Sequence, residues 1–341
     1  MVEDKVGPKE YLGIKINYDN EKRLDKFSLD TLQGRYLLAT DETNNIKGET
    51  HAQEAFARAS VFGATYKGTT DFELAQRLYD YSSKCWFMFS TPILSNGGTS
   101  RGLPISCFLN YVPDNRIGLV EHYKENIWLS TNGGGIGGYW GNIRSNGTPT
   151  SSGSRSTGSI PFIHVVDSLM LAFPQGTTRR GSYAAYMDVS HPEIEEFLTI
   201  RKESGGDINR KSLNLHNGIN ITNDFLKAVE TDSDWRLIDP KSKEAVKIVN
   251  ARDLWFQIIQ TRAETGEPYI VNIDNCNDAL PQKQKDLGLE IKQSNLCSEI
   301  TLPTNEERTA VCCLSSVNLE HFDKWSKNEQ FIDDLITMLD N

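Results

Sequence analysis

Ser294-Asn295-Leu296-Cys297-Ser298-Glu299-Ile300 gathers an amide, a thiol and a carboxylate within five positions. Successive side chains of an extended backbone point to opposite faces. Asn295, Cys297 and Glu299 are therefore expected on one side, with Leu296, Ser298 and Ile300 on the other. A carboxylate so placed can act as general base toward a substrate hydroxyl that the amide orients, leaving the thiol for separate chemistry. Spacing alone leaves two readings open, a reactive site and an ordinary polar strand face. The chain has six cysteines, too few for a disulfide scaffold of this length, and no C-x₂-C pair occurs among them, so no structural metal is expected. Cys85 reads as a small hydrophobe of an amphipathic helix. Cys276, in Asp274-Asn-Cys-Asn-Asp278, has two acids nearby that oppose thiolate formation.

Upstream, the 62 residues from Asn126 to Met187 contain one acid, Asp167, where the chain average would place about eight. Their basic residues are Arg144, Arg155, Arg179 and Arg180, with no lysine, and arginine's planar fork suits phosphate oxygens. Glycines cluster in the same window, permitting turns with exposed N–H groups. Gly133-Gly-Gly-Ile-Gly-Gly138 satisfies G-x-G-x-x-G, but residues 139–159 contain no acid for a ribose, and Asn146-Gly-Thr-Pro-Thr-Ser-Ser-Gly-Ser154 is loop chemistry. A dinucleotide fold is disfavoured. Two readings remain, a flexible surface loop and an anion site built by loops 144–158 and 174–182. A helix capped by Ser159, with Pro161 in its first turn, is expected between them. His164 on that helix reads as a satisfied core or edge histidine.

The whole chain has 341 residues, enough for one large or two modest domains, and its net charge of −10 argues against general binding to nucleic acid or an anionic membrane. No apolar run reaches the roughly 18 residues of a membrane span, and Met1-Val-Glu-Asp-Lys5 carries no signal core. Reduced thiols in a cytoplasmic setting are expected. The first 90 residues read as helical, with an amphipathic helix over 71–87. From Thr91, strand-like runs alternate with capped helices in the manner of parallel βα units. Pro192, the glutamates after it and Arg201-Lys202 predict a helix stopped by Gly205-Gly206. Thr222 or Asn223 caps another, and Ala251–Thr265 forms a third, closed by Gly266 before strand Tyr269–Asn272.

The loop around Cys297, followed by Ala310-Val-Cys-Cys-Leu-Ser-Ser-Val-Asn-Leu319, resembles the large (α) subunit of class I ribonucleotide reductases. So do Thr91-Pro-Ile93, Ser106-Cys-Phe-Leu109, the glycine loop ending in Asn142-Ile-Arg144, and Gln175-Gly-Thr-Thr-Arg179, in the family's order from about residue 30 to the end. The resemblance implies an α/β fold, the first half of the family's ten-stranded barrel, preceded by an N-terminal helical domain. Residues 1–88 would form that domain, without an ATP-cone. Residues 89–341 would supply the half-barrel, the specificity loops, the cysteine finger loop and the first strand of the second half.

By that resemblance Cys297 becomes a transient thiyl radical, Glu299 accepts the 3′-hydroxyl proton and Asn295 holds the ribose hydroxyls. Cys107 and Cys312 would reduce the 2′ carbon and become a disulfide, with Cys313 a bystander. Thr91, Ser106, Cys107, Gly135 and Asn295 to Glu299, including Leu296 and Ser298, would contact substrate. Asp114 with Arg144 would bind an effector, and Gln175 to Arg179 would relay its identity. No covalently bound cofactor is implied. Nucleoside triphosphates (dNTP or ATP) would act allosterically, and a separate metal-containing small subunit would supply the radical.

Expected partners are a C-terminal fragment of the large subunit, the small subunit, a thioredoxin- or glutaredoxin-type reductant and a second large subunit. The family's second half-barrel, relay tyrosines and C-terminal cysteines would lie on that fragment. A cobalamin-dependent or anaerobic radical reductase, or a decayed nucleotide-binding regulatory module, stands as the alternative.

Overall fold

A computed structural model describes residues 7–43, 47–175 and 180–341. Arg179 therefore lies outside the described residues. The chain divides into two compact units, one comprising residues 1–106 with 313–341 and the other residues 107–312.

The first unit opens with a hairpin, β1 (Pro8–Tyr11) and β2 (Ile14–Asn17), and continues through α1 (Lys26–Arg35) and α2 (Ala52–Gly63). A second short hairpin, β3 (Thr65–Tyr66) and β4 (Thr69–Thr70), leads to α3 (Phe72–Ser83), β5 (Phe87–Phe89) and α4 (Thr91–Asn96). The first hairpin escapes helical periodicity because only Ile14 and Ile16 alternate inward, beside an otherwise exposed strand. The predicted 71–87 helix stops earlier. Cys85 adopts φ +59, its N–H bonds Ser82 O and that of Trp86 bonds Tyr81 O, a Schellman closure, so Cys85 lies past the helix. Phe56, Leu74, Leu78, Phe87 and Phe331 share one core. Through it Arg58 reaches buried Glu49 at 2.7 Å and the carbonyls of Leu94 and Gly97, which holds α4 in place.

The second unit is a βα array: β6 (Cys107–Tyr111), α5 (Arg116–Thr131), β7 (Gly135–Tyr139), α6 (Ile160–Ala172), β8 (Ser182–Asp188), α7 (Ile194–Phe197), β9 (His216–Ile221) and α8 (Asn223–Glu230). The hairpin β10 (Asp234–Ile238) and β11 (Ala245–Asn250) follows, then α9 (Ala251–Thr265), β12 (Tyr269–Asn272), α10 (Ile273–Asp278) and α11 (Gln282–Asp286). A finger of β13 (Ile291–Ser294) and β14 (Thr301–Pro303) precedes β15 (Ala310–Cys312). The sheet order is β12-β9-β8-β7-β6-β15, with five parallel strands and an antiparallel β15 at one edge. Five parallel strands with crossover helices make the expected half-barrel, edged by antiparallel β15.

Two helical expectations change. The segment after Pro192 makes one α-turn, after which Thr199, Ile200 and Lys202 donate to carbonyls three residues back, a tighter winding that buries Ile200. Ser159 stands at the start of α6 without capping it, because its hydroxyl donates to Glu193 instead. Thr222 caps α8, and α9 and β12 have the expected bounds.

The chain then returns to the first unit as β16 (Ser315–Val317), α12 (Phe322–Trp325) and α13 (Phe331–Asp340). β16 pairs with β5, so the compact unit reaches past the 88/89 boundary expected from sequence. On α13, Asp334 accepts from Arg77 Nε and Tyr81 Oη while Phe331 and Leu335 enter the core.

Candidate active site and a polar cleft

The finger is threaded against the glycine strand. A Cβ on Gly137 would stand 2.2 Å from Ser294 O and 2.9 Å from Asn295 Cα, so only glycine admits the finger here. Gln293 Nε2 donates to Asn110 O at 2.7 Å, Thr304 Oγ1 donates to Gln293 Oε1 at 2.8 Å, and Tyr186 Oη donates to Asn295 O at 2.6 Å. Three parts of the half-barrel thus hold one loop.

The tip is a turn and not an extended strand, which corrects the alternation read from the sequence. Ser298 has φ +66, and Asn295 Oδ1 accepts from the N–H groups of Glu299 and Ile300 at 3.1 Å. Asn295 is buried inside the loop as its staple, and Leu296 packs against Tyr186, Val271 and Cys276. Only Cys297 and Glu299 face outward, with Ser298 half-buried between them. Burial raises the Cys276 thiol, so packing, more than the acids beside it, opposes its thiolate.

Cys107 and Cys312 are direct partners in the antiparallel β6–β15 pair. Opposed residues of such a pair have Cα atoms about 4.5–5.5 Å apart, within the range a disulfide needs. On its other side Cys107 is registered with Gly135 of β7, and Asn295 Nδ2 lies 3.5 Å from Cys107 Sγ. The fold thus joins positions separated by 188 and 205 residues, Asn295 with Cys107 and Cys107 with Cys312. Thr91 and Ser106 belong to the first unit, where Thr91 Oγ1 meets Tyr36 Oη at 3.0 Å and Ser106 is buried. Cys313, also there, points toward Pro104 O, and burial raises its thiol.

A cleft of about 530 Å³ opens where α5 begins, lined by Asp114, Asn115, Arg116, Ile117, Arg144 and the loop through Arg155. Arg144 Nε lies 3.0 and 2.9 Å from the two Asp114 carboxylate oxygens. The loop is a folded hairpin. Pro149 bridges Arg155, the N–H groups of Gly147 and Ser156 bond back across it, and the hydroxyls of Thr150, Ser152 and Ser154 bond one another. Arg116 lies outside the acid-poor window, so composition could not find it; Arg155 lies inside but pairs with nothing distinctive in sequence. Gln175 is buried against Gly133, where a Cβ would meet its Oε1 at 2.3 Å. His164 Nδ1 bonds Lys211 O, as a satisfied edge histidine should, and the window's one acid, Asp167, accepts from Asn214. Among the described residues no cluster of His, Cys, Asp and Glu could hold a metal, and no helix is long and apolar enough to cross a membrane.

This half-barrel with its finger is matched among known proteins. Residues 105–341 match the ribonucleotide reductase barrel domain and residues 22–102 the all-alpha domain of that enzyme. The chain belongs to the ribonucleotide reductase large-subunit family. It is 52% identical to the putative ribonucleoside-diphosphate reductase large subunit of Frog virus 3 (isolate Goorha), covering 79% of this chain and 46% of that protein. It is 43% identical to the ribonucleoside-diphosphate reductase large subunit of Invertebrate iridescent virus 3, covering 96% and 58%. The class Id ribonucleotide reductase alpha subunit of Actinobacillus ureae superposes with a TM-score of 0.76 at 32% identity, over 93% of this chain and 53% of that one. The chain spans about half the length of these relatives.

Proposed function

We propose that the chain supplies the catalytic cysteines and the allosteric specificity site of a ribonucleoside-diphosphate reductase. The observation that carries this is the register of Cys107 against Cys312 with the Asn295 amide beside Cys107. Cys297, as a thiyl radical, takes the substrate's 3′ hydrogen while Glu299 takes the 3′-hydroxyl proton. The 2′-hydroxyl leaves as water. Cys107 and Cys312 give up two electrons and two protons and close a disulfide, and the 3′ hydrogen then returns from Cys297. Asn295 Nδ2 holds a ribose hydroxyl next to Cys107. Gly135, Leu296 and Ser298 complete the substrate contacts within the second unit.

The cleft with Asp114 and Arg144 takes a nucleoside triphosphate, and Gln175 to Arg179 relays its identity. Exposed Ile117, Val120 and Trp128 on α5, with Leu171 on α6, offer an apolar face to a second large subunit. The remainder of a large subunit, a metal-containing small subunit that supplies the radical and a thioredoxin- or glutaredoxin-type reductant complete the system. Dithiol chemistry of this kind supports reading a reducing, cytoplasmic setting.

The test is Cys297→Ser in the assembled enzyme. Turnover of ribonucleoside diphosphates should vanish while nucleoside triphosphate binding persists; unchanged turnover refutes the radical role. Purified alone, the chain should show no turnover, and robust turnover would refute its dependence on the remainder of a large subunit.

A further inference from the structure

The effector loop is gripped at both ends by carboxylates that lie outside the acid-poor window. Asp239 sits between β10 and β11 and is 1% exposed. Its Oδ1 accepts from the N–H groups of Lys241 and Ser242, at 3.0 and 2.8 Å, closing its own turn. Its Oδ2 accepts from Ser145 N at 2.8 Å, Ser145 Oγ at 2.7 Å and Thr148 Oγ1 at 2.8 Å. At the loop's other end Glu193 Oε2 accepts from Ser159 N at 2.7 Å and Ser159 Oγ at 2.9 Å. Gly158 admits it closely, since a Cβ there would stand 1.9 Å from Glu193 Oε1. Between the two ends, His191 Nδ1 accepts from Glu193 N, so its Nε2–H donates to Ile143 O at 2.8 Å.

A loop that meets an anionic ligand gains by carrying no acid of its own, because a carboxylate on its ligand face would repel phosphate. Its anchors must then come from elsewhere in the chain and approach from behind. Asp239 and Glu193 do this, 94 and 34 positions away from the serines they hold. Neither lines the cleft.

We propose that Asp239 and Glu193 are positioning residues that set the shape of the 145–159 loop and thereby the affinity of the cleft for nucleoside triphosphates. This rests on reading the cleft as the effector site. An asparagine at 239 can face only one of its two donor sets with an oxygen, so one set must lose its acceptor.

The experiment titrates dTTP into the assembled large subunit and follows amide hydrogen exchange in the same samples. Asp239→Asn and Glu193→Ala should each weaken dTTP about tenfold or more and speed exchange between Ser145 and Ser159, with Asp239→Asn also loosening its own turn at Lys241 and Ser242, and nowhere else in the second unit. The pair Ser145→Ala with Thr148→Ala leaves Asp239's own turn intact and should weaken dTTP in the same way, which carries the test if Asp239→Asn does not fold. Variants that bind dTTP within about twofold of the wild type overturn the inference. So does weaker binding accompanied by faster exchange throughout the second unit. A wild-type subunit that binds no dTTP overturns the effector reading itself, so the two failures are distinguishable.

Discussion

The finger tip at 294–301 and the loop at 144–159 belong to one compact unit and are built on opposite plans. At the tip the backbone is buried and the reactive side chains are exposed: Asn295 is 0% exposed and its amide oxygen serves two backbone N–H groups, while Cys297 and Glu299 face out. In the 144–159 loop only the ends are buried, and the middle is exposed and closed by its own hydroxyls. A thiol that reacts at a single hydrogen atom needs a stem that does not move. A loop that answers to a ligand needs donors that can exchange one partner for another.

The sharpest way to break the comparison is Gly137→Ala. The new methyl would meet Ser294 O and Asn295 at backbone, where nothing flexible can yield, and should cost about 3 kcal/mol in chemical denaturation. Turnover should fall with it, since the finger cannot seat.

A pH series gives the next effect. Burial pushes the Glu193 carboxyl up to about 7 from an ordinary 4.5, against the pull of the Ser159 donors. The folded chain then holds this proton more tightly than the unfolded one, so the stability it contributes falls as pH rises from about 4.5 to about 7, by about 3 kcal/mol. Glu193→Gln should flatten that slope in urea melts at stepped pH.

Tyr186→Phe removes a buried donor from Asn295 O and should destabilise by about 1.5 kcal/mol, with turnover reduced more than dTTP affinity. Smallest is Gly153→Ala in the 144–159 loop. Nothing lies within 4 Å of its Cβ, but φ is +79, so the cost is the left-handed penalty of about 1 kcal/mol, read as a shift in midpoint. A Gly153 effect as large as that of Gly137 would erase the distinction between the two loops.

The motifs around Cys297, Cys107 and Arg144 were readable in order along the chain, as were α9 and β12, whose caps and periodicity are local. Helical reading failed where tertiary contacts took over. The segment after Pro192 spends Glu193 and Glu196 on Ser159 and Arg210 and winds tighter than an α-helix. The β1–β2 and β10–β11 hairpins carry too few inward residues to show a period of two.

Residue chemistry by itself determined which groups could do redox and anion chemistry here: three cysteines in distinctive surroundings and a window with four arginines and one acid. Only the tertiary structure decided how they are arranged. It turned the Asn295–Glu299 stretch into a stapled turn, set Cys107 opposite Cys312 and brought Asp239 and Glu193 to the ends of the 145–159 loop. The physical reason is range. Caps, periodicity and charge act over one or two turns of chain, whereas strand register and buried carboxylates join residues that sequence places tens to hundreds of positions apart.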